Sequence, residues 1–431
     1  MAEPVRFGTD GIRGRAFEEI SLDLAYRLGR AVASVFSVPV FVGYDTRESS
    51  PQLAAAVLTG LRDGGAPARN IGYFTTPGVA VIAHQRHGAG VVVSASHNPY
   101  YDNGLKVLGL GGSKLDHATE EAVTQALNAA PSPMSHAFET FAIDETAEHD
   151  YALHLRQLVP RDFSTLSIVI DCANGAASHV AHELFESTGA SITILHDQPD
   201  GRNINEHCGS TCVDDLVAMV TEVGADLGLA FDGDADRLIA VDHEGVVRDG
   251  DDLMVLFCLD RLESDSLGGG LVVTSMTNLG LYRALGARVE IVEVDVGDRN
   301  VLLALEQHAW IFGGEQSGHL IFRELSPTGD GLLTGLLLSD LVVRRGALSE
   351  LAKAAWTRVP QALINVANDH YDDAVVREIF AELVAQFGLD PNELRLLVRP
   401  SGTEPVVRVM IEALDEGFVA AFASRIRTQF S

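Results

Sequence analysis

An α/β fold built from several parallel or mixed sheets is the fold class that this 431-residue sequence predicts, and two observations carry that prediction. First, the succession of an apolar strand, a polar loop, an amphipathic helix, a Gly-Ala break and a second strand occurs three times, beginning at Pro39, Leu166 and Gly269. Second, the strands are short, continuous runs rich in Val and Ile, which are typical of parallel strands buried on both faces. Three copies predict three related α/β domains.

The last part of the chain has a different pattern, which predicts a small C-terminal α+β domain. A helical segment, DDAVVREIFAELVAQFG, is followed by two strands within LRLLVRPSGTEPVVRVMIEA and by a second helix, FVAAFASRIRTQF. Residues 129–149 contain Pro, Ser and scattered acids with little periodicity, and they mark a first boundary. We therefore expect domains at residues 1–153, 154–250, 251–362 and 363–431.

Composition and charge narrow the classes of function. Hydrophobic residues make up 46% of the chain and charged residues 21%, so the protein can bury sizeable cores. A net charge of −29 repels phosphate backbones and anionic lipid headgroups, which disfavours partners of the nucleic-acid or membrane class. The most apolar stretch, residues 332–343, is interrupted by polar residues and predicts a buried helix. With no signal peptide at the N-terminus, we expect a cytoplasmic protein.

The four cysteines are too few for a disulfide framework in a chain of this size. Cys208 and Cys212 lack the second pair that a structural zinc site requires. We therefore expect all four as free thiols.

Three aspartates, Asp232, Asp234 and Asp236, follow the apolar strand LGLAF at a spacing of two residues. Carboxylates at this spacing in a tight turn can converge on one hard cation, and ligands that are all oxygen favour Mg²⁺ over zinc or copper. An EF-hand is excluded because its required Gly and Glu positions hold Arg237 and His243. Two alternatives stay open here: a solvated acidic turn, or Asp232 as the nucleophile of a dehalogenase-type phosphatase.

Ser96 lies in the segment SASHNP, directly after the strand AGVVV. A serine beside a histidine can act as a nucleophile, although serine-rich strand ends are also common turns. The absence of a Gly-x-Ser-x-Gly elbow argues against an acyl-transfer hydrolase. Nearby Lys106 is one of only three lysines among 31 basic residues, which hints at a titratable role.

Three further segments carry groups suited to a phosphorylated, polyhydroxylated ligand. RPSGTEP, which begins at Arg399 and is followed by Arg408, offers a backbone nest with two guanidinium groups, or else a simple hairpin turn. GGEQSGH, which ends at His319, offers donors and acceptors in a glycine-rich loop. FGTDGIRG places the guanidinium of Arg13 in a glycine-rich turn.

Taken in chain order, these segments resemble the α-D-phosphohexomutase superfamily, and within it the bacterial branch that acts on glucosamine phosphates. The resemblance spans residues 7–410, nearly the whole chain. The matching segments are FGTDGIRG, SASHNPYYDNGLK, VIDCANGA, AFDGDADR, VGDRNV, GEQSGH and RPSGTEPVVRVM.

This resemblance implies four domains around a central cleft and a role for each loop. Ser96 would carry the transferred phosphoryl group as a phosphoserine. One Mg²⁺ per chain would be held by Ser96, Asp232, Asp234 and Asp236. Sugar contacts would come from Arg237, Glu315, Ser317 and His319. The phosphate that does not react would be gripped by Arg399, Ser401, Gly402, Thr403 and Arg408. The general acid and the general base would be among Arg13, His97, Lys106 and His319.

The implied reaction interconverts glucosamine 6-phosphate and glucosamine 1-phosphate through a sugar 1,6-bisphosphate, which also primes the enzyme. A homodimer is implied as well. Alternatives are a phosphomannomutase/phosphoglucomutase on the same scaffold, a dehalogenase-type phosphatase, and a sugar-phosphate sensor without catalysis.

Three residues depart from the family pattern. Tyr44 stands where Lys or Arg is usual, which leaves Arg47 as the cation of that segment for a phosphate contact. Ala235 replaces a usual Gly between Asp234 and Asp236, and Pro400 replaces a usual Lys in the segment RPSGTEP.

Overall fold

The computed structural model describes residues 11–134, 138–390, 393–400 and 406–430, and these fall into two compact units. The first unit runs to Met276 and resumes over Glu290–Ala354. It contains three sheets. The second unit consists of Thr277–Val289 and the chain from Ala355 onward, and it contains a fourth sheet.

The first sheet has five strands around a parallel centre. Its elements are β1 (Ile12–Arg15), α1 (Leu22–Val35), β2 (Val40–Tyr44), α2 (Ser50–Asp63), β3 (Ala68–Tyr73), α3 (Thr76–Gln85), β4 (Ala89–Val93), β5 (Asp102–Leu108) and α4 (His117–Ala129). The strand order is β1-β5-β4-β2-β3, with β2 parallel to β3 and β4, and with β5 antiparallel to β4 and β1. Every residue of β2 and β4 is buried, which is why these strands lack an alternating pattern in the sequence.

The second sheet repeats the arrangement of β2 to β5, but its outer strand comes last in the chain instead of first. Its elements are α5 (Thr146–Leu158), β6 (Ser167–Asp171), α6 (Ala177–Glu186), β7 (Ser191–Leu195), α7 (Asp214–Val223), β8 (Leu227–Phe231), β9 (Leu238–Asp242) and β10 (Val247–Arg248). The order β10-β9-β8-β6-β7 again places a parallel trio beside an antiparallel strand.

The third sheet is a four-stranded version of the same arrangement. In chain order, this part of the sequence contains α8 (Gly250–Glu263), β11 (Leu271–Thr274), α9 (Leu279–Leu285), β12 (Ile291–Val294), α10 (Asp298–His308), β13 (Phe312–Gly314), β14 (Leu320–Phe322), α11 (Gly331–Arg345) and α12 (Leu348–Ala355), of which α9 belongs to the second unit. The order is β12-β11-β13-β14, with only the last pair antiparallel. The prediction of three related α/β domains is confirmed, and helix α11 coincides with the predicted buried helix.

One connection has the same place in all three sheets. The third parallel strand, β4, β8 or β13, leads through a short loop into its antiparallel neighbour, β5, β9 or β14. We name these connections the serine loop (residues 94–101), the aspartate loop (232–237) and the sugar loop (315–319). Each contains one residue in the left-handed conformation: Ser96, Ala235 and Gly318.

The second unit has the α+β pattern expected of the C-terminal segment. Its further elements are β15 (Gln361–Ala367), α13 (Asp373–Phe387), β16 (Arg395–Pro400), β17 (Val406–Glu412) and α14 (Glu416–Gln429). The sheet order is β15-β17-β16, and both pairs are antiparallel. Its core packs Phe418, Phe422 and Ile426 of α14 against Val409 and Ile411 of β17.

The structure also bears on the state of the cysteines and on the apolar character of the helices. All four cysteines are free thiols. Across the described ranges, no helix combines the length and the apolar character that crossing a bilayer demands.

Candidate active site

Ser96 lies in the serine loop with its side chain buried and directed at the aspartate loop. Its hydroxyl donates a hydrogen bond to Oδ2 of Asp232, with 2.5 Å between the oxygens. Its backbone N–H donates to Oγ of Ser94 at 3.0 Å. The backbone of Ser96 has φ 52°, a left-handed conformation that residues with a Cβ rarely adopt. The loop therefore presents the hydroxyl from a constrained backbone.

The aspartate loop forms a cluster of three buried carboxylates. Oxygen atoms of Asp232, Asp234 and Asp236 all lie within 4.8 Å of one another. Oδ1 of Asp234 and Oδ1 of Asp236 are buried and have no hydrogen-bond partner among the described residues. Burial, together with the charges of Asp236 and Asp234, raises the pKa of Asp232 well above its usual range. Buried oxygens without donors and mutual repulsion both fit a site for a hard divalent cation.

Lys106, from β5, supplies positive charge to this cluster. Its Nζ lies 2.9 Å from Oδ2 of Asp234 and 3.8 Å from Oδ2 of Asp236. Burial acts to raise the pKa of Asp236, but Lys106 and His319 outweigh it and hold that pKa well below the usual range. The hydroxyl of Thr76, at the start of α3, also donates to Oδ2 of Asp234 at 2.6 Å.

His97 follows Ser96, and its Nδ1 lies 3.3 Å from the serine Oγ. Burial, with the nearby charges of Arg237 and Arg13, lowers the pKa of His97 to about 4. The imidazole is therefore neutral near pH 7. Arg13 comes from β1, opposite Gly104 of β5.

Arg237 ends the aspartate loop. Its backbone N–H donates to Oδ1 of Asp232 at 3.2 Å, and its Nε lies 3.8 Å from Oδ1 of Asp236. Burial alone would lower the pKa of Arg237, but the charges of Asp236, Asp232 and Glu315 raise it. Its guanidinium thus carries a fixed positive charge beside the cluster.

The sugar loop lies against the aspartate loop, since the N–H of Leu238 donates to the carbonyl of Gly318 at 3.0 Å. Glu315 accepts a hydrogen bond from the N–H of Gly297 at 3.0 Å. The Oγ of Ser317 is buried and has no hydrogen-bond partner in the described part of the chain. A buried hydroxyl of this kind suits a ligand oxygen.

His319 is almost completely buried between two carboxylates. Its Nδ1 lies 3.7 Å from Oδ2 of Asp236, and its Nε2 lies 3.8 Å from Oδ2 of Asp298. Burial acts to lower the pKa of His319, but Asp236 and Asp298 outweigh it and raise that pKa. Gly329 is required beside the ring, because a Cβ there would come within 2.4 Å of Nε2.

The first unit therefore brings together most of the residues singled out in the sequence. They are Arg13, Ser96, His97, Lys106, Asp232, Asp234, Asp236, Arg237, Glu315, Ser317 and His319. In the second unit, Arg399 of β16 pairs in register with Arg408 of β17. Ser401, Gly402 and Thr403 lie outside the described residues.

The three departures from the family pattern have different outcomes. Tyr44 is buried and packs edge-on against Tyr73, with 5.0 Å between ring centroids. Ala235 keeps a left-handed backbone, φ 56°, despite its Cβ. Pro400 is the last residue of β16 and is exposed.

Arg47, the cation of that segment that was left for a phosphate contact, binds protein groups. Its side chain is fully buried and forms an ion pair with Asp45. One of its nitrogens, Nη2, donates to the carbonyl oxygens of Ser96 and Asn98 at 3.1 and 2.6 Å. Arg47 therefore contacts the backbone of the serine loop.

Sequence reasoning missed three residues that contact this centre. Thr76 and Asp298 contact Asp234 and His319, and Asn205 donates to the serine loop. Asp298 is part of the VGDRNV segment, so the resemblance contained a signal for it. Thr76 and Asn205 have no local signal, because their partners lie more than 100 residues away in the chain.

Comparison with known proteins settles the family. Profiles described as phosphoglucomutase/phosphomannomutase, alpha/beta/alpha domains I, II and III, match residues 4–134, 149–245 and 249–359, and that of the C-terminal domain matches 353–429. The chain belongs to this family. Within this family of mutases, the chain groups with relatives named phosphoglucosamine mutase.

Two of those relatives are from Desulforamulus reducens and Thermobifida fusca. The first is 44% identical over 95% of this chain and 95% of its own length, and the second is 43% identical over 97% and 96%. The predicted superfamily is therefore confirmed. The predicted domain boundaries stay predictions.

Solved structures share the fold. A phosphoglucomutase/phosphomannomutase family protein from Burkholderia thailandensis superposes with a TM-score of 0.80 at 23% identity, covering 98% of this chain and 96% of the other. The N-acetylphosphoglucosamine mutase of Aspergillus fumigatus, in complex with GlcNAc-6P and magnesium, gives a TM-score of 0.67 at 20% identity, with coverages of 100% and 96%.

Proposed function

We propose that this protein is a phosphoglucosamine mutase, which interconverts D-glucosamine 6-phosphate and D-glucosamine 1-phosphate through a sugar 1,6-bisphosphate. The observation that carries the mechanism is the 2.5 Å approach of the Ser96 hydroxyl to Asp232, within a cluster of three carboxylates. The identity of 41–44% to curated phosphoglucosamine mutases supports the substrate.

We assign one Mg²⁺ to the oxygens of Asp232, Asp234, Asp236 and Ser96. The buried carboxylate oxygens without donors fit that ion. When bound, Mg²⁺ neutralises negative charge on the oxygens of the phosphoryl group being transferred.

Ser96 is proposed to carry that phosphoryl group between the two positions of the sugar. In one half of the cycle the bond from phosphorus to Oγ breaks, and a bond to O1 or O6 of the sugar forms. In the other half Oγ attacks the phosphoryl group at the opposite end of the bisphosphate and loses its proton. The neutral ring of His97, 3.3 Å from Oγ, is placed to accept that proton and to return it to Oγ when the bond to phosphorus breaks.

The cations around the cluster supply the remaining chemistry. Arg237, Lys106 and Arg13 offset the charge that the phosphoryl group brings into a protein of net charge −29. His319, whose pKa is raised, holds a proton that it can donate to the sugar oxygen when the phosphoryl group leaves the sugar for Ser96. In the opposite direction the same ring takes the proton of the attacking hydroxyl.

Recognition of the rest of the ligand is assigned to the sugar loop and to the second unit. Glu315 and Ser317 offer an acceptor and a buried hydroxyl to sugar oxygens. Arg399, Ser401, Gly402, Thr403 and Arg408 are proposed to bind the phosphate that is not being transferred. A cytoplasmic location, a homodimer and the absence of nucleic-acid or membrane partners remain predictions.

Relative turnover of three sugar 6-phosphates tests this proposal. Glucosamine 6-phosphate should give the highest kcat/KM, with glucose and mannose 6-phosphates far below it, in the presence of Mg²⁺ and a sugar 1,6-bisphosphate. Faster turnover of the glucose or mannose compounds would identify a phosphoglucomutase/phosphomannomutase. Release of inorganic phosphate without isomerisation would identify a phosphatase.

A further inference from the structure

We propose that Asn205 is a positioning residue for Ser96: its side-chain amide, supplied by the second sheet, holds the backbone of the serine loop in the conformation that directs Oγ at the aspartate loop. This inference rests on the proposed role of Ser96 as the phosphoryl carrier.

The conformation of Ser96 requires external support. With φ at 52°, Ser96 lies in a region that is unfavourable for any residue carrying a Cβ. Such a backbone persists only where surrounding groups determine it, and it is common at functional sites. The carbonyl groups of Ser96 and Asn98, on either side of this turn, are the groups that its neighbours bind.

Two side chains bind this same pair of carbonyls. Nη2 of Arg47, which lies within the first sheet's own domain, donates to them at 3.1 and 2.6 Å. Nδ2 of Asn205, from the connection between β7 and α7, donates to them at 2.9 and 3.2 Å. The serine loop is thus held by its own domain on one side and by the second domain on the other.

Asn205 is itself fixed in place. Its backbone is left-handed, φ 56°, and its N–H donates to the carbonyl of Ala173 at 2.9 Å. The buried carboxylate of Asp171 accepts from the N–H groups of Ala173 and Gly209 at 2.8 and 2.9 Å. The amide of Asn205 therefore approaches the serine loop from a rigid support, which is what preorganisation of a reacting group requires.

A second contact joins the same two regions. The hydroxyl of Thr46, next to Arg47, donates to the carbonyl of Asn174 at 2.5 Å. This bond keeps the two domains in register without touching Ser96. Removing the amide of Asn205 therefore releases the serine loop locally and leaves the domain contact in place.

The expected consequence is slower phosphoryl transfer with unchanged substrate affinity. Asn205 binds backbone carbonyls rather than groups that face the ligand, so KM should hold. A small displacement of a reacting atom can cost roughly a hundredfold in rate, so we expect kcat to fall by about ten- to a hundredfold.

Asn205→Gly in the full-length chain is the test, since Gly removes the amide and accepts the left-handed backbone without strain. His207→Gly is the matched control, because His207 is exposed, lies in the same loop and has φ 54°. For both variants we would measure kcat and KM, the thermal midpoint, and the rate at which sugar 1,6-bisphosphate phosphorylates Ser96, followed by intact mass. Asn205→Gly should lose kcat and phosphorylation rate, with KM and midpoint matching the control.

Asn205→Asp is the second variant, which keeps the shape and tolerates the left-handed backbone but cannot donate to carbonyls. It should lose at least as much kcat as Asn205→Gly. If both Asn205 variants match the kcat of His207→Gly, or if KM rises while kcat holds, the inference is overturned. A wild-type chain that neither isomerises sugar phosphates nor takes up phosphate on Ser96 would instead overturn the proposed function, and this inference with it.

Discussion

The serine loop and the aspartate loop occupy equivalent places in the first two sheets, between the third parallel strand and its antiparallel neighbour, and they present different chemical groups. Each follows a buried parallel strand, each leads into an antiparallel one, and each includes a left-handed residue with a Cβ, Ser96 at φ 52° and Ala235 at φ 56°. The serine loop supplies a hydroxyl and a neutral imidazole, whereas the aspartate loop supplies three carboxylates. The two loops thus lie against each other on similar scaffolds, and each presents a different set of side chains.

The two loops also differ in how many of their buried oxygens accept a hydrogen bond. The carbonyls of the serine loop accept hydrogen bonds from Arg47 and Asn205. The aspartate loop keeps buried carboxylate oxygens without donors among the described residues, and its charges repel one another. The serine loop therefore has its carbonyls bound by protein donors, while the aspartate loop keeps oxygens that fit the proposed cation.

Removing one carboxylate from the aspartate loop should have the largest effect. Asp234→Asn leaves too little charge to hold Mg²⁺ and should abolish turnover. In metal-free buffer its thermal midpoint should be close to that of the wild type, because the change also removes repulsion between buried carboxylates. Titration of activity against Mg²⁺, with thermal melts in chelator, measures both.

Asp265→Asn is the control for that variant, since Asp265 is an exposed carboxylate in the first unit. It should keep wild-type turnover at every Mg²⁺ concentration. Wild-type turnover of Asp234→Asn at low Mg²⁺ would mean that the aspartate loop is an acidic turn and not a metal site.

The segment that begins at Arg399 is predicted to bind the phosphate that does not react, so its variants should be milder than those of the aspartate loop. A charge-assisted bidentate Arg–phosphate pair contributes about 1.5–3 kcal/mol, so Arg399→Ala should lose roughly ten- to a hundredfold in kcat/KM. KM should rise and kcat should fall, because the distal phosphate helps to place the reacting end. Release of free bisphosphate should also increase.

Arg399→Lys should recover only part of that loss, because a single ammonium cannot reproduce the planar fork of the guanidinium. Steady-state kinetics and a count of released bisphosphate distinguish the variants. Unchanged kinetics with no excess bisphosphate in Arg399→Ala would remove Arg399 from the phosphate site.

Asp330 tests how burial near the aspartate loop affects stability. It caps α11, accepts from the N–H of Leu333 and the hydroxyl of Tyr151 at 2.9 and 2.8 Å, and burial raises its pKa to about 6. Folding therefore favours its protonated form. Its contribution to stability is fully present below about pH 4 and is lost as the pH rises through 6, by roughly 2–3 kcal/mol.

Because Asn does not titrate, the Asp330→Asn variant should not lose stability in this way. The free energy of unfolding of the variant relative to that of the wild type should therefore rise between pH 4 and 7. Asp116→Asn should change little relative to the wild type over this range, and its relative free energy of unfolding should rise only as the pH falls below about 4. Asp116 is an exposed cap whose pKa is lowered by the N–H of Thr119, so its contribution is lost as the pH falls. Denaturant unfolding from about pH 2 to 7 measures both, and equal slopes of the two variants between pH 4 and 7 would contradict the assignment.

The smallest expected effect concerns the left-handed alanine of the aspartate loop. A left-handed backbone at Ala costs about 1–2 kcal/mol, and Gly removes this strain. Because Gly also raises the conformational entropy of the unfolded chain, the net effect of Ala235→Gly should be a stabilisation of up to about 1 kcal/mol. Ala176→Gly, at an ordinary φ of −63°, should destabilise instead. Denaturant melts decide, and a destabilised Ala235→Gly would show that the Cβ contributes more by packing than it costs in strain.

Much of the fold and the reacting groups could be predicted from local patterns. Val/Ile strands followed by helices identify parallel sheets, and Ser96 and the three aspartates each follow a strand that the sequence marks clearly. Side chains at strand ends are where α/β folds place their sites, so the pattern leads to the chemistry.

The supporting residues could not be predicted in this way. Arg47 looked like a phosphate ligand, but it is buried under the serine loop, and Asn205 contacts a backbone 109 residues away in the chain. The left-handed backbone of Ser96 is likewise set by tertiary hydrogen bonds, because nothing in its own sequence favours φ above zero. Contacts of this kind depend on how two domains pack, which local periodicity does not encode.

The chemical form of the covalent phosphate tests the central claim most directly. After incubation with sugar 1,6-bisphosphate, intact-mass analysis should show a species heavier by about 80 Da, with the phosphate on the peptide that contains Ser96. The label should resist hydroxylamine and should be absent from Ser96→Ala, whose turnover should fall by several orders of magnitude. A label that hydroxylamine removes and that persists in Ser96→Ala would place the phosphate on a carboxylate such as Asp232, and would contradict the account.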